Sequence, residues 1–422
     1  MKGSCQHYPK QYISFLTSSF FSRIGEWMDF TVLNWIVLEA TKSPFALGIL
    51  NACRLIPIFL FSIPGGILAD RFSKKKILKC TQLFLAFMTF ILLFVWNAEL
   101  SFGWIAVIIF IRSVFLAIET PVRNALIANL VKKNQLAGAI SLHTSIIHIS
   151  RLLGPALSGW LLTIFHENVL FTTYIILLII SFMTLLYLPE DKPARTVKKK
   201  NKGSMIEVVL FIKKDRPLKA LLLLSVVPML FGFPYSSMLP IFVNKLINLG
   251  PEQFGFMLSL SSIGALMATI LMSTGKIQVT VTKMIGTCLL FGTLLIGYII
   301  SYSFIWIVWG LLFLIGFFSQ FYRTSSRILL QHYVPNEIRG RVLSIFLMDR
   351  GFISLGVLLF SFIAEWNVYW SGVLMGMLCV TLSALIILWN YRCLQELSKG
   401  DHDENKGKNF DRGFDRQMEK LS

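Results

Sequence analysis

Apolar residues gather along this chain in runs of about 20, separated by short polar connections, and a helix of that length spans the hydrocarbon core of a bilayer. Twelve such runs are predicted as helices, near residues 12–38, 45–69, 77–97, 103–121, 137–164, 168–188, 218–243, 253–274, 281–301, 303–322, 341–363 and 368–391. The only long internal connection is polar, rich in lysine, and lies between the sixth run and the seventh. The pattern therefore divides the chain into a six-helix half over 1–188, a linker over 189–217 and a second half over 218–392. The tail over 393–422 is polar and mixed in charge, and reads as disordered. The fold class expected is an all-α integral membrane protein with twelve transmembrane helices.

Composition agrees. Of 422 residues, 55% are hydrophobic and 15% charged, against about a quarter charged in an ordinary soluble domain. The net charge of +18 raises the question of a nucleic-acid partner, but its placement answers it. Most of the 40 Lys and Arg residues fall at the termini, in the linker, or in the connections on that same side. Only Lys42 and Lys245 fall in connections on the opposite side, and Arg23, Arg54, Arg112, Arg151 and Arg350 lie inside the runs. Such asymmetry puts both termini in the cytoplasm of a multi-pass protein of the cell membrane, and it excludes nucleic acid as the reason for the charge. The first run is too long and too charged for a cleavable signal peptide. The six cysteines are scattered, so neither a disulfide framework nor a metal site follows from them.

An internal repeat supports the six-plus-six division. Arg123-Asn124-Ala125-Leu126-Ile127-Ala128-Asn129-Leu130-Val131 stands before the fifth run, and Ser326-Arg327-Ile328-Leu329-Leu330-Gln331-His332-Tyr333-Val334 stands before the eleventh. The offset from Arg123 to Ser326 is 203 residues, which also carries the first run onto the seventh.

Between the second and third runs lies Gly65-Gly66-Ile67-Leu68-Ala69-Asp70-Arg71-Phe72-Ser73-Lys74-Lys75-Lys76. Gly66 is expected to let two helix backbones approach closely. Asp70 stands at a helix end, where a carboxylate meets the positive terminus of a neighbouring helix. Arg71 and Lys75 belong to the basic cluster that keeps the loop cytoplasmic. This stretch resembles the signature loop of the major facilitator superfamily, G-x-L-x-D-R-x-G-R-K, with Ser73 where the family has glycine. The second copy, Gly275-Lys276 to Lys283, lacks the acid and is no Walker A loop.

Four further stretches narrow the likeness: Gly25-Glu26-Trp27-Met28-Asp29 with Thr41 to Gly48, Arg54-Leu55-Ile56-Pro57, Ser150 to Gly159, and Val334 to Val342 around Arg339-Gly340-Arg341. Together they resemble the proton-antiporter branch that holds the enterobactin exporter and the macrolide efflux proteins. The resemblance covers about residues 12 to 390. It implies two pseudo-symmetric six-helix halves around a central cavity, a monomer, and export driven by proton entry with no cofactor beyond the proton gradient.

Ionisable side chains at membrane depth are costly, so each is a functional candidate. Arg23, Glu26 and Asp29 are spaced by three and share a helical face, which is expected to line the cavity. Glu26 or Asp29 either carries the coupled proton or belongs to a static pair with Arg23. Arg112 falls where the superfamily often has an arginine linked to proton transfer; pairing with the acids of the first run is the alternative. Arg23, Arg54 and Arg151 either bind an anionic substrate or cross-link helices. Asp349 and Arg350 are not typical of the branch, which makes them candidates for substrate choice. Gly154, Pro155 and Gly159 look like the antiporter motif of the fifth helix, or serve packing alone. Pro228, Pro234 and Pro240 predict a bend in the seventh run. Glu119 pairs with Arg123 at i+4, either at an inner gate or at a solvated helix end. His143 and His148, five residues apart, read as hydrogen-bonded interface histidines, with no metal.

The function these readings imply is proton-coupled efflux of a small organic molecule, a catecholate siderophore or an antibiotic-like drug. A macrolide or multidrug pump is the first alternative and a nutrient symporter of the same fold the second. The chain has no clustered His, Asp, Ser or Cys at one membrane face of the kind a membrane enzyme would need. The partners expected are the small molecule, protons and lipid.

Overall fold

Several helices in this protein start on a short hydroxyl or carboxylate side chain, Ser43, Ser73, Asp215 or Thr280, that takes up a free amide of the first turn. The computed structural model describes residues 8–190, 212, 215–275, 277–334 and 349–400. The side chains of Asp70, Asp349 and Arg350, the Arg339-Gly340-Arg341 loop, and the tail beyond residue 400 lie outside the described residues, and so do the expectations attached to them.

Helix α1 (Lys10–Thr41) ends at Lys42, whose φ of 54° is left-handed. Helix α2 (Pro44–Arg71) starts on Ser43, whose hydroxyl accepts from the Ala46 amide at 3.1 Å. Helix α3 (Lys74–Asn97) starts on Ser73, which accepts from the Lys76 amide at 3.3 Å. Ser73 has a φ of −60°, open to any residue, so the turn needs a capping hydroxyl here and not a glycine. Helices α4 (Phe102–Leu130), α5 (Leu136–Ile164) and α6 (Glu167–Leu186) complete the first set.

The second set begins with α7 (Arg216–Phe231), capped by Asp215 through the Leu218 amide at 2.8 Å. The bend predicted from the prolines is a real interruption: α7 stops at Phe231, and α8 (Tyr235–Ile241) and a π-helical turn (Phe242–Leu246) follow. Pro234 has no amide to continue the ladder. Then come α9 (Pro251–Ser273), α10 (Val281–Ile300), α11 (Ile305–Tyr333), α12 (Asp349–Trp366), α13 (Val368–Trp389) and α14 (Tyr391–Gly400).

Two boundaries differ from expectation, with consequences for the site. Helix α4 continues through Pro121 to Leu130, although the apolar pattern ends near 121. A proline inside a membrane helix costs a hydrogen bond without ending the helix when neighbours cover the freed carbonyl. Arg123 is therefore a buried helical residue and not a loop cation. Helix α14 occupies the start of the tail read as disordered, because Leu394 is buried among Leu218, Leu221, Met284 and Cys288.

Among the described residues, ten helices are long and apolar enough to cross a membrane. The segment Gly351–Trp366 is apolar but shorter, and α1 has the length but carries Arg23, Glu26 and Asp29. Exposed Phe87, Phe90 and Phe94 on α3 present an apolar face suited to lipid.

The chain packs as two units. One contains α1–α6 together with Tyr235–Ser262 and Val357–Ser371; the other contains the remaining C-terminal residues. Packing thus crosses the sequence division at the linker, and small residues explain how. Within the first unit a Cβ on Gly159 would lie 2.6 Å from the Pro251 carbonyl oxygen, and one on Gly48 would collide with Ser361. Polar contacts join the same segments: Glu365 Oε2 accepts from the Phe45 amide and the Ser43 hydroxyl, each at 3.0 Å, and Lys245 Nζ donates to the Lys42 carbonyl at 2.6 Å.

The close approach expected at Gly66 occurs one residue earlier. A Cβ on Gly65 would lie 2.9 Å from Ile118 Cα of α4, whereas one on Gly66 would meet nothing within 4 Å. The two glycines point about 100° apart around α2, so only one can face α4.

Candidate functional site

The face of α1 that carries Ser18, Ser19, Ser22, Arg23, Glu26 and Asp29 is turned into the first unit. There it meets α2, α3, α4 and α6, and α4 contributes the most polar groups, Arg112, Glu119, Thr120 and Arg123. The outcome is two linked clusters of charge along one helix.

Asp29 is the centre of the first. Its Oδ2 accepts from Arg54 Nη2 of α2 and pairs with Arg112 Nη2 of α4, both at 2.9 Å. Arg54 also lies over the Phe30 ring at 5.1 Å and Arg112 over the Tyr174 ring at 5.2 Å. Of the alternatives open for Arg112, the structure has it paired with an acid of the first helix. Asp29 is buried and ties three helices together.

Glu26 sits differently. Arg23 Nη1 donates to its Oε2 at 2.6 Å, and its side chain keeps 29% of its exposure. The second nitrogen of Arg23, Nη2, donates to Thr120 Oγ1 at 3.2 Å.

The second cluster is fully enclosed. Arg123 Nε donates to Glu119 Oε1 at 2.5 Å, and the two residues are 0% and 1% exposed. Ser22 donates to the same Glu119 oxygen at 3.0 Å, and Arg123 Nη1 donates to Ser19 at 3.0 Å. The pair expected from spacing is present, but deep in the helix bundle and not at a solvated helix end. An ion pair taken out of water costs several kcal/mol per charge before any attraction is counted, so its own contribution to stability is small or negative.

Arg151 of α5 lies half-buried over the Trp27 ring at 5.4 Å. Gly154 brings α5 against α1, since a Cβ there would fall 2.6 Å from Trp27 Cβ. Pro155 and Gly159 face Gly255 of α9, so the motif packs α5 on two sides at once. Helix α5 runs through Pro155 without interruption. In the signature loop Lys75 Nζ donates to the Leu186 carbonyl at 3.1 Å and to that of Leu188, closing the C-terminal end of α6 with a cation. Arg71 is exposed in the last turn of α2. His143 differs from expectation: its ring packs on Phe15 at 5.4 Å, and its Nε2 has no hydrogen-bond partner.

Sequence reasoning missed the serine part of this face, along with Gln82, which donates to Ser22 at 3.4 Å. The signal was present: 18, 22 and 29 continue the stripe of 23 and 26 at helical spacing.

The family model described as "Transmembrane secretion effector" matches residues 9–413. The staphyloferrin A transporter of Staphylococcus aureus is 31% identical over 394 residues, covering 92% of this chain and 98% of its own. Macrolide efflux protein A of Streptococcus pyogenes is 24% identical, covering 73% and 77%. Among solved structures, a bacterial homologue of the human lysosomal transporter Spinster superimposes with a TM-score of 0.71 at 14% identity, over 93% of this chain and 98% of that one. A peptide transporter in complex with alafosfalin gives 0.74 at 14%, over 94% and 97%. These two show the fold alone. The chain belongs to the transmembrane secretion effector family of the major facilitator superfamily, and it is a membrane transporter, not an enzyme.

Proposed function

We propose that this transporter exports a small anionic organic molecule of the siderophore class across the cell membrane in exchange for protons. The observation that carries this reading is the charge balance of the buried face. With the enclosed Arg123–Glu119 pair set aside as neutral, Arg23, Arg54, Arg112 and Arg151 stand against Glu26 and Asp29, an excess of arginine that favours an anion. Guanidinium forks suit the oxygens of carboxylates and catecholates. The similarity to a staphyloferrin A transporter supports the same class.

Within the face, Glu26 is the residue to carry the proton. It reaches solvent and has one arginine partner, so it can gain and lose a proton as access changes. Asp29, held by two arginines on one oxygen, is a cross-link. Arg151, half-buried on Trp27, is the candidate for touching substrate. Asp349 and Arg350 stay candidates for substrate choice, and Asp70 with Arg71 and Lys75 for the conformational signature. The transporter works in this reading as a monomer with both termini in the cytoplasm.

Everted membrane vesicles test this. Staphyloferrin A and the macrolide erythromycin serve as probes, with an imposed pH gradient. Gradient-dependent uptake of the first, reduced in Arg151→Gln, is expected. Uptake of erythromycin alone would move the reading to the second one, a macrolide pump, which the relatives of that name favour.

A further inference from the structure

The internal repeat allows the buried cluster around Glu119 to be compared with what the fold does without it. Helices α4 and α11 are both 29 residues long and begin 203 residues apart, at Phe102 and Ile305. At that offset Glu119 corresponds to Tyr322, Arg123 to Ser326, Ser22 to Ser225, Arg23 to Val226 and Glu26 to Met229. In the C-terminal copy the contact is neutral: Ser225 and Ser326 share a hydrogen bond of 2.6 Å, and the Tyr322 hydroxyl donates to the Leu224 carbonyl. Arg323, at the position of Thr120, lies over the Phe233 ring. Two neutral hydrogen bonds therefore suffice to join the helices, and a buried ion pair is not needed for the packing. Such pairs are retained at a cost in stability, so a reason other than packing is wanted in the first half.

The unused atoms supply it. Glu119 Oε2 is buried and has no hydrogen-bond partner, and Arg23 Nε is buried and has none either. Arg23 already reaches Thr120, the neighbour of Glu119, with Nη2 while Nη1 holds Glu26, and the Arg23 and Glu119 charges interact electrostatically. A donor on Arg23 and an acceptor on Glu119 are thus both unsatisfied, on residues whose chain neighbours Thr120 and Ser22 already bridge the two helices. The other groups facing Glu119 and Arg123 are Ser22, Ser19 and Ser18 of α1, Gln82 of α3 through Ser22, and His143 of α5, which feels the Arg123 charge.

We propose that Glu119 is a second positioning residue for coupling, the alternate partner of Arg23. When Glu26 takes up a proton its carboxyl becomes neutral, and Arg23 transfers to the open oxygen of Glu119. When the proton leaves, Arg23 returns to Glu26. The transfer draws α1 toward α4 at Ser22 and Thr120, which converts protonation into helix movement. This rests on the reading of Glu26 as the proton carrier.

The test uses full-length protein in proteoliposomes with staphyloferrin A as probe and erythromycin in parallel. Two rates are read: transport driven by a pH gradient, and exchange of labelled for unlabelled probe without a gradient. Glu119→Gln is expected to keep exchange within about twofold and to lose gradient-driven transport by about tenfold or more, within the range that coupling between two sites commonly spans. Glu119→Gln combined with Arg123→Ser removes both charges and imitates the neutral copy. Continued loss of gradient-driven transport with exchange retained in the double variant supports the proposal, even where Glu119→Gln alone fails to insert. Recovery of gradient-driven transport in the double variant overturns it, since Glu119 would then only neutralise Arg123. Loss of both rates in both variants overturns it too, making the pair structural. Normal coupling in Glu26→Gln is a separate outcome that removes the proton carrier itself.

Discussion

Asp29 of α1 and Arg112 of α4 meet at 2.9 Å through the same carboxylate oxygen that Arg54 of α2 holds at 2.9 Å. One negative charge thus serves two positive ones in a dry setting, and the three residues are not interchangeable. Asp29→Asn leaves two buried guanidiniums without a counter-charge and is expected to cost about 3–5 kcal/mol. Arg54→Gln leaves a neutral pair and should cost clearly less. Thermal unfolding of the two variants in one detergent checks the order; equal losses would show that charge balance is not what holds this corner.

Glu26→Gln is expected to leave the fold intact, because its side chain is partly exposed and it has a single charged partner. Gradient-driven transport should fall by about tenfold or more while gradient-free exchange persists, the mark of a lost coupling site. Proteoliposome flux with and without a pH gradient separates the two quantities. Asp29→Asn, by contrast, should lower folded protein and both fluxes together.

Gly65 and Gly66 make a paired test of packing. Gly65→Ala pushes a methyl to within 2.9 Å of the α4 backbone and should cost about 1–3 kcal/mol. Gly66→Ala meets open space and should be neutral or stabilising by up to about 1 kcal/mol. Gly154→Ala belongs with Gly65→Ala, given the 2.6 Å approach to Trp27. Yield of folded protein and its unfolding midpoint would show whether the ranking holds.

Asp215, at the start of α7 and outside the membrane-spanning segment, has its carboxyl raised above the ordinary value by burial, against the opposing pull of the Leu218 amide and the Tyr333 hydroxyl. The folded protein therefore holds this proton more tightly than the unfolded chain. Its contribution to stability is full below the unfolded-state value and is lost as pH rises through the raised one. Asp215→Asn should keep the cap and remove that pH dependence, while Asp215→Ala should cost about 1 kcal/mol at the low-pH end and less as pH rises. Unfolding midpoints measured from pH 4 to 8 decide between these.

The helices were legible because apolar length and charge asymmetry are strong signals, and the spacing of 23, 26 and 29 put them on one face of α1, which was expected to line the cavity; the structure turns that face onto α2, α3, α4 and α6. What stayed hidden were facts of rotation and depth. Gly65 and Gly66 are equivalent in sequence, and only the direction each faces around α2 separates them. Glu119 closes the fourth apolar run and Arg123 lies just past it, so spacing could pair them but could not say that α4 carries the pair onward into the interior. The partner of Asp29 was open among several arginines, since nothing in spacing along α1 tells which of α2 and α4 comes near; both do.

Glu365 at the end of α12 holds the Phe45 amide and the Ser43 hydroxyl at the start of α2, while one turn further in Gly48 presses on Ser361. The two contacts respond to water in opposite ways. Helix-start amides can exchange a carboxylate for water at little cost, because that terminus is where a helix is hydrated anyway. A glycine contact leaves no room for a water molecule and can only part as a whole. Separation of α12 from α2 would therefore begin as rehydration at the edge and be limited by the dry contact behind it. Such a seam opens like a zip, in which the first tooth is easy to release and the second sets the force.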